Sequence, residues 1–418
     1  MKFNKWTLGL AALGVVSLAS AASAADETVN TVATALASTT ISGYVDTSAH
    51  WNPGTGNANV PAYAFNSPSK ADGFNLDAVK VSLNKALDES EWAAGYHIDL
   101  MFGADANALG STPIGGLAGT DFAIRQAYVT LRTPIGTGID WKIGVFDSII
   151  GYESIDAVNN PNYTRSWGFT LEPTTHTGIL GTYHLSDLVS IAGGVANTTG
   201  PIIGGASVGG SLLPVSTGRA QPFKAESYKT YMASIALTAP DSWGFLSGST
   251  LYGGIVNGFG GNVVTTGDQL NAYAGLTLAT PVTGLRLGFA YDYLGVPHQT
   301  FKGSGPVNSA WANSLGTYVS FQATEKLSLH ARGEFVWQDA GDGPLQASSL
   351  VGVTGTVQYQ LWENVLSRLE VRWDRAVDGS KPFGGSLTPI LGGLNASASG
   401  APHDRNAVLV AANIIYKF

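Results

Sequence analysis

The sequence predicts an all-β chain: a transmembrane antiparallel up-and-down β-barrel of about 16 strands, with short turns on one rim and long loops on the other. Three observations carry this. Apolar and polar residues alternate with a period of two along one segment after another, as they do in strands. The connections between these segments alternate between short and long. Only 12% of the residues are charged, about half the share of a soluble domain, which suits a chain whose outer face meets hydrocarbon.

The chain starts with Lys2 and Lys5, an apolar stretch over 7–19 and a small-x-small site at Ala22-Ser23-Ala24. This is the pattern of a cleaved export signal over 1–24. Its apolar core is shorter than the roughly 20 residues of a spanning helix. Residues 25–38 read as a short periplasmic segment and 39–418 as the barrel. Cleavage leaves 394 residues, in which 20 basic side chains face 30 acidic ones. That negative balance argues against a nucleic-acid partner. The chain has no cysteine, so export brings it no disulfide. No later run of 18 apolar residues exists, so any membrane crossing must be made by strands.

Strands are expected at 39–51, 75–86, 91–103, 121–133, 140–149, 173–185, 188–199, 227–239, 248–258, 269–280, 284–295, 313–323, 327–338, 350–362, 366–376 and 405–418. Most approach the 9–11 residues that a tilted strand needs to cross a bilayer. Their number is even, as in single-chain bacterial barrels. The links at 87–90, 134–139, 186–187, 281–283, 324–326 and 363–365 are short. Those at 52–74, 104–120, 150–172, 200–226, 296–312 and 377–404 are long. Short turns belong on the periplasmic rim and long loops outside.

Each strand has two chemically different faces. Segment 366–374 sets Leu369, Val371 and Trp373 against Arg368, Glu370, Arg372 and Asp374. In the dry core of a soluble sandwich those four ions would cost several kcal/mol each unless paired. Facing a water-filled lumen they cost little. The same alternation places Lys80, Arg132, Lys142, Arg286 and Arg332 in the lumen, with the acids Asp46, Asp99, Asp292 and Glu334. Arg125 and Arg132 fall on opposite faces of a regular strand, so only Arg132 is assigned to the lumen. The polar faces together predict a mixed-charge channel wall.

Aromatic residues gather near strand ends, where their rings suit a membrane interface. Trp92 and Trp141 lie beside short turns; Tyr293, Trp337 and Trp373 lie beside long loops. The chain ends in NAVLVAANIIYKF, with Val408, Val410, Ala412, Ile414, Tyr416 and Phe418 on one face. A terminal ring has no reason to stay ordered in water; it does if that face meets lipid.

Catalytic patterns are weak. His97 shares a face with Asp99, and His330 with Arg332 and Glu334, but neither set has metal-ligand spacing. The glycine runs at 201–210 and 251–262 lack the Lys-Ser/Thr of a phosphate loop. No catalytic residue, metal or cofactor is expected.

The stretch 125–180 is the most distinctive. It contains QAYV, then the hairpin ending in WKIGVF, the loop NPNYTRS and the strand entry EPTTHTG. In these motifs it resembles the OmpL-like β-barrel porins. The resemblance implies an outer-membrane channel of a Gram-negative-type cell, set in lipid and lipopolysaccharide and passing small hydrophilic solutes and ions without a cofactor. A homotrimer is the assembly expected of such a channel. The terminal Phe418 strand resembles the signal that outer-membrane barrels present to their assembly machinery. By analogy with classical porins, 150–172 is the third external loop and folds inward as a constriction. Glu153, Asp156 and Glu172 would then approach basic wall groups, Arg165 would add a positive one, and Tyr152, Tyr163, Trp167 and Phe169 would line an apolar track. The alternative is an external lid packed on its own aromatics. At the level of function the alternative is a non-conducting structural or adhesive barrel that binds partners through its long loops.

Overall fold

The structure is a computed structural model that describes residues 38–54, 70, 72–109, 121–197, 229–259, 265–266, 268–296, 299–301, 306–307, 310–339, 347–389, 396–399 and 402–418. The export signal expected at 1–24, and the periplasmic segment except its last residue, lie outside the described residues. The strands are β1 (Thr40–Trp51), β2 (Gly73–Lys85), β3 (Ala94–Phe102), β4 (Phe122–Thr133), β5 (Ile139–Asp147), β6 (Thr175–His184), β7 (Val189–Ala196), β8 (Thr230–Thr238), β9 (Thr250–Phe259), β10 (Thr265–Thr266) and β11 (Asp268–Ala279). They continue as β12 (Leu285–Val296), β13 (Gln299–Phe301), β14 (Pro306–Val307), β15 (Ala310–Gln322), β16 (Leu327–Gln338), β17 (Ser349–Trp362), β18 (Val365–Ala376), β19 (Ser386–Pro389), β20 (Ala396–Ser399) and β21 (Asn406–Lys417). Sixteen of them, all but β10, β13, β14, β19 and β20, form one closed antiparallel barrel in chain order. The other five form two small sheets: β10, which lies between β9 and β11, pairs with β13 and β14 of the β12–β15 connection, and β19 pairs with β20 within the β18–β21 connection.

Closure answers the question posed by the C-terminal ring. Strand β21 pairs with β18 on one side and with β1 on the other. Phe418 extends that pairing: its carbonyl accepts from the Gly43 amide at 2.8 Å, and its amide donates to the Gly43 carbonyl at 3.0 Å. Glycine is required at 43, because a Cβ there would run into the Lys80 carbonyl and the Phe418 ring. With no free sheet edge, no backbone group is left to hydrocarbon.

The two faces separate as the alternation predicts. Leu369 and Val371 are half exposed on the outside, at 55% and 50%, while Glu370 and Arg372 between and beside them are at 0%. Trp243, Phe245 and Trp362 stand exposed beside short turns, and Trp51 and Phe74 beside long loops. Trp92 is exposed as well, but on the turn that precedes β3 rather than on the strand expected to start at 91. The Trp141 indole donates to Thr133 Oγ1 at 3.0 Å, and that of Trp373 to Asn406 Oδ1 at 3.3 Å. The Trp337 ring lies 6.4 Å from that of Tyr291; Tyr293 is half-buried, and Tyr416 is largely exposed.

Strict alternation fails at three places, one of them at the end of β17, where the β17–β18 register slips between Gln360 and Trp362 and leaves Leu361 as the extra residue. The β3–β4 register slips between Asp99 and Leu100, leaving Arg125 as an extra residue in β4. The β1–β2 register slips between Asp46 and Thr47, leaving Asp77 as the extra residue in β2. A bulge of this kind breaks the period of two, so the assumption of one regular strand through Arg125 and Arg132 does not hold.

A charge on the outer face should be expensive. Val371→Arg is expected to destabilise the barrel by about 2–4 kcal/mol if it lies near the bilayer midplane; reversible urea unfolding in vesicles measures this.

Candidate functional site

The link between β5 and β6 runs inside the barrel. Between Ser148 and Thr174 nearly every side chain is buried, and a loop buried this way must satisfy its own backbone. Local sequence does part of this. Asn160 accepts from the Ser154 amide at 2.7 Å and donates to the Ser154 and Asp156 carbonyls at 2.6 and 3.0 Å. A short helix, α1 (Trp167–Leu171), is capped by Ser166, whose hydroxyl accepts from the Phe169 amide at 3.1 Å.

The barrel wall does the rest, chiefly on β16–β18. Arg332 donates to Glu334 and to Glu153 of the loop, both at 2.8 Å. It also donates to the Thr164 and Arg165 carbonyls, at 2.8 and 3.2 Å. Arg372 binds Asp374 at 2.7 Å and the Arg165 carbonyl at 2.5 Å. Arg368 reaches the Ala157 and Asn160 carbonyls, at 3.0 and 2.5 Å. Loop amides in turn donate to wall carboxylates: Tyr163 and Thr164 to Glu370, at 2.5 and 2.9 Å, and Trp167 to Glu334 at 2.5 Å. The Trp167 indole donates to Asp374 at 2.7 Å. Four arginines (165, 332, 368, 372) thus balance four carboxylates (153, 334, 370, 374).

Other contacts tie the loop to the remaining wall. Asp156 binds Lys80 at 2.7 Å, and Lys80 also binds Asp99 at 2.9 Å. The Tyr163 hydroxyl donates to Ser48 at 2.8 Å. Ile155 and Phe169 pack against Met101, Ala123 and Ala106. On the opposite side Tyr152 stacks on Tyr318, with ring centroids 4.0 Å apart. A Cβ at Gly288 would overlap the Tyr152 hydroxyl, so glycine makes room for that ring. Asn271 of β11 donates to the Leu171 carbonyl at 2.7 Å.

This corrects four expectations. The loop is inside the barrel, which overturns the external lid. The wall charges point inward as expected but are dry: Arg332, Glu370 and Arg372 are at most 1% exposed, because the loop displaces water and supplies their partners. Tyr152, Tyr163, Trp167 and Phe169 are buried against the wall and do not line a track. Glu172 approaches no base: it hydrogen-bonds another acid, Asp292 of β12.

Arg165, whose carbonyl the clasp holds, uses its guanidinium on the Tyr163 and Ile155 carbonyls of its own loop, at 3.1 and 2.9 Å. The remaining candidates lie apart from the clasp. Arg132 pairs with Asp140 at 2.6 and 2.8 Å beside a short turn. Asp46 accepts from Asn413 at 2.5 Å. Lys142 sits over the Tyr128 ring, 5.1 Å from its centroid, and Arg286 is half-buried. In the loop segment 152–160 only Asp156, Val158 and Asn159 keep a half-buried face. Sequence reasoning missed Arg125, which pairs with Asp147 at 2.6 Å, and Lys70, which pairs with Asp105 at 2.6 Å and with Asp77 at 3.4 Å. Arg125 and Asp77 are the bulge residues, which a period-two reading cannot assign. Lys70 lies in a loop and Asp105 in a short helix, Ala104–Leu109, where it has no signal.

A family model described as "Putative beta-barrel porin-2, OmpL-like" matches residues 38–416. No curated protein matches the chain. Among solved structures, the outer-membrane channel DcaP of Acinetobacter baumannii aligns with a TM-score of 0.56 at 12% identity, covering 91% of this chain and 97% of its own. An anion-selective porin from Comamonas acidovorans aligns with a TM-score of 0.56 at 13% identity, covering 91% and 99%. OmpT of Vibrio cholerae in its trimer form aligns with a TM-score of 0.51 at 11% identity, covering 91% and 99%. At these identities the likeness is one of fold.

Removing the central guanidinium should be severe. Arg332→Met leaves Glu153 and Glu334 buried without their cation, at an expected cost of about 3–5 kcal/mol. Denaturant unfolding of the purified barrel against the unsubstituted protein checks this.

Proposed function

Because the chain belongs to the family of OmpL-like β-barrel porins, it is an outer-membrane porin, and we propose that small hydrophilic solutes and ions diffuse passively past its infolded loop, which sets the width of the passage. The observation that carries this reading is the clasp: a loop that leaves the wall at β5 and returns at β6 is held by Arg332, Arg368 and Arg372 of β16–β18, across the closed barrel, and so divides the lumen as a fixed partition. In this reading the passage follows the half-buried face of Asp156, Val158 and Asn159, and Lys142 contributes from the wall. Lys80, Arg332, Glu334, Arg368, Glu370, Arg372 and Asp374 hold the partition in place. Such a channel selects by diameter and by the charges at its surface, with no catalytic group.

The reading extends to assembly. Export would use the leader over 1–24, and the β21 strand with Phe418 would engage the barrel-assembly machinery. Lipid and lipopolysaccharide would cover the apolar outer face. A homotrimer is the proposed state; the OmpT form from Vibrio cholerae named above is described as a trimer.

Planar-bilayer recording of the purified mature chain tests the function. Stepwise ohmic conductance is expected, and Gly288→Leu, which displaces the Tyr152 ring, should change the unit conductance at least twofold. A folded protein that never conducts would instead support the structural or adhesive barrel.

A further inference from the structure

The far end of the loop is held differently from its centre. Glu172 follows α1, and its carboxyl hydrogen-bonds the Asp292 carboxyl on β12. Both side chains are buried, Glu172 at 5% and Asp292 at 4% exposure. Neither forms an ion pair among the described residues. Two glycines grip them. A Cβ at Gly151 would strike the Glu172 carboxyl, and one at Gly168 would strike the Asp292 carboxyl. Among the described residues Asp292 Oδ1 has no hydrogen-bond partner, so no second donor there stabilises a full charge.

The groups around the pair do not neutralise it. The loop contributes Glu153 and Tyr152, β11 contributes Tyr273, β15 contributes Ser314 and β16 contributes Glu334. The nearby cation Arg332 is already bound to Glu153 and Glu334. Two carboxylates in hydrogen-bond contact cannot both be ionised at low cost. One of them must carry a proton and donate it to the other.

Building on the porin reading, we propose that Glu172 and Asp292 are positioning residues for the constriction, a carboxylic acid–carboxylate pair sharing one proton that fastens the loop end to β12 and releases it when that proton is lost. Burial, with Asp292 beside it, holds the Glu172 carboxyl well above the usual carboxylate range. A raised value in the docked state fixes the sign. The proton's contribution to docking is complete below the ordinary carboxylate range and is lost as pH climbs through the raised value. Alkaline conditions therefore repel the loop end from the wall, while the arginine clasp on β16–β18 holds the rest.

The test is single-channel conductance of the full mature chain between pH 6 and pH 10. The wild type is expected to show a conductance rise of at least twofold, with added flicker, towards the alkaline end. Glu172→Gln keeps an N–H donor for Asp292 but has no proton to lose, so its conductance should stay flat over the range. Asp292→Asn should be flat as well, and gives an independent reading should the first variant fail to fold, which heat-modifiable gel migration reports. A flat wild type overturns the proposal, and so does a rise that persists in both variants. A wild type that never conducts removes the porin reading itself, whereas a pH-independent channel removes only the latch.

Discussion

The structure depends on one constraint: a loop inside a barrel has no water to satisfy its backbone. Each carbonyl and amide between Ser148 and Thr174 must find a partner on the wall or in the loop itself. Arginine meets this need well. Its planar guanidinium reaches several acceptors at once, and Arg332 binds two carboxylates and two loop carbonyls together. The carboxylates beside it receive loop amides and the Trp167 indole. Charges that would be costly alone in a dry interior thus become the means by which the interior is filled.

A complementary constraint shapes the outside. Hydrocarbon offers no hydrogen bonds, so the sheet has to close and its outer side chains have to be apolar. Gly43 and Phe418 complete the last seam. Between these two demands the wall is a single layer with opposite chemistries on its faces. Leu369 and Glu370, adjacent in the chain, face out of the barrel and into the buried hydrogen-bond network of the loop.

The clasp also explains how a passive channel can hold its width. A partition fixed on β16–β18, on β2 through Lys80 and on β15 through Tyr318 has attachments around much of the circumference. Its attachments differ in chemistry. The arginine network is charge-balanced. The carboxyl pair at Glu172 is not, which makes the loop's return to the wall its most adjustable point.

How much of this was legible beforehand follows from the range of the forces involved. Strand number and the inward or outward sense of Leu369, Glu370, Val371 and Arg372 were determined by the sequence alone, because alternation is a local property and hydrocarbon imposes it on every strand. The dryness of those same charges was not legible. It depends on contacts such as Tyr163 to Glu370 and Trp167 to Asp374, each between residues 207 positions apart. The bulges at Asp77 and Arg125 and the acid-to-acid contact of Glu172 likewise arise only once strands pair and the loop docks. Local periodicity tells a side chain which way to face; only the closed barrel decides what it meets there.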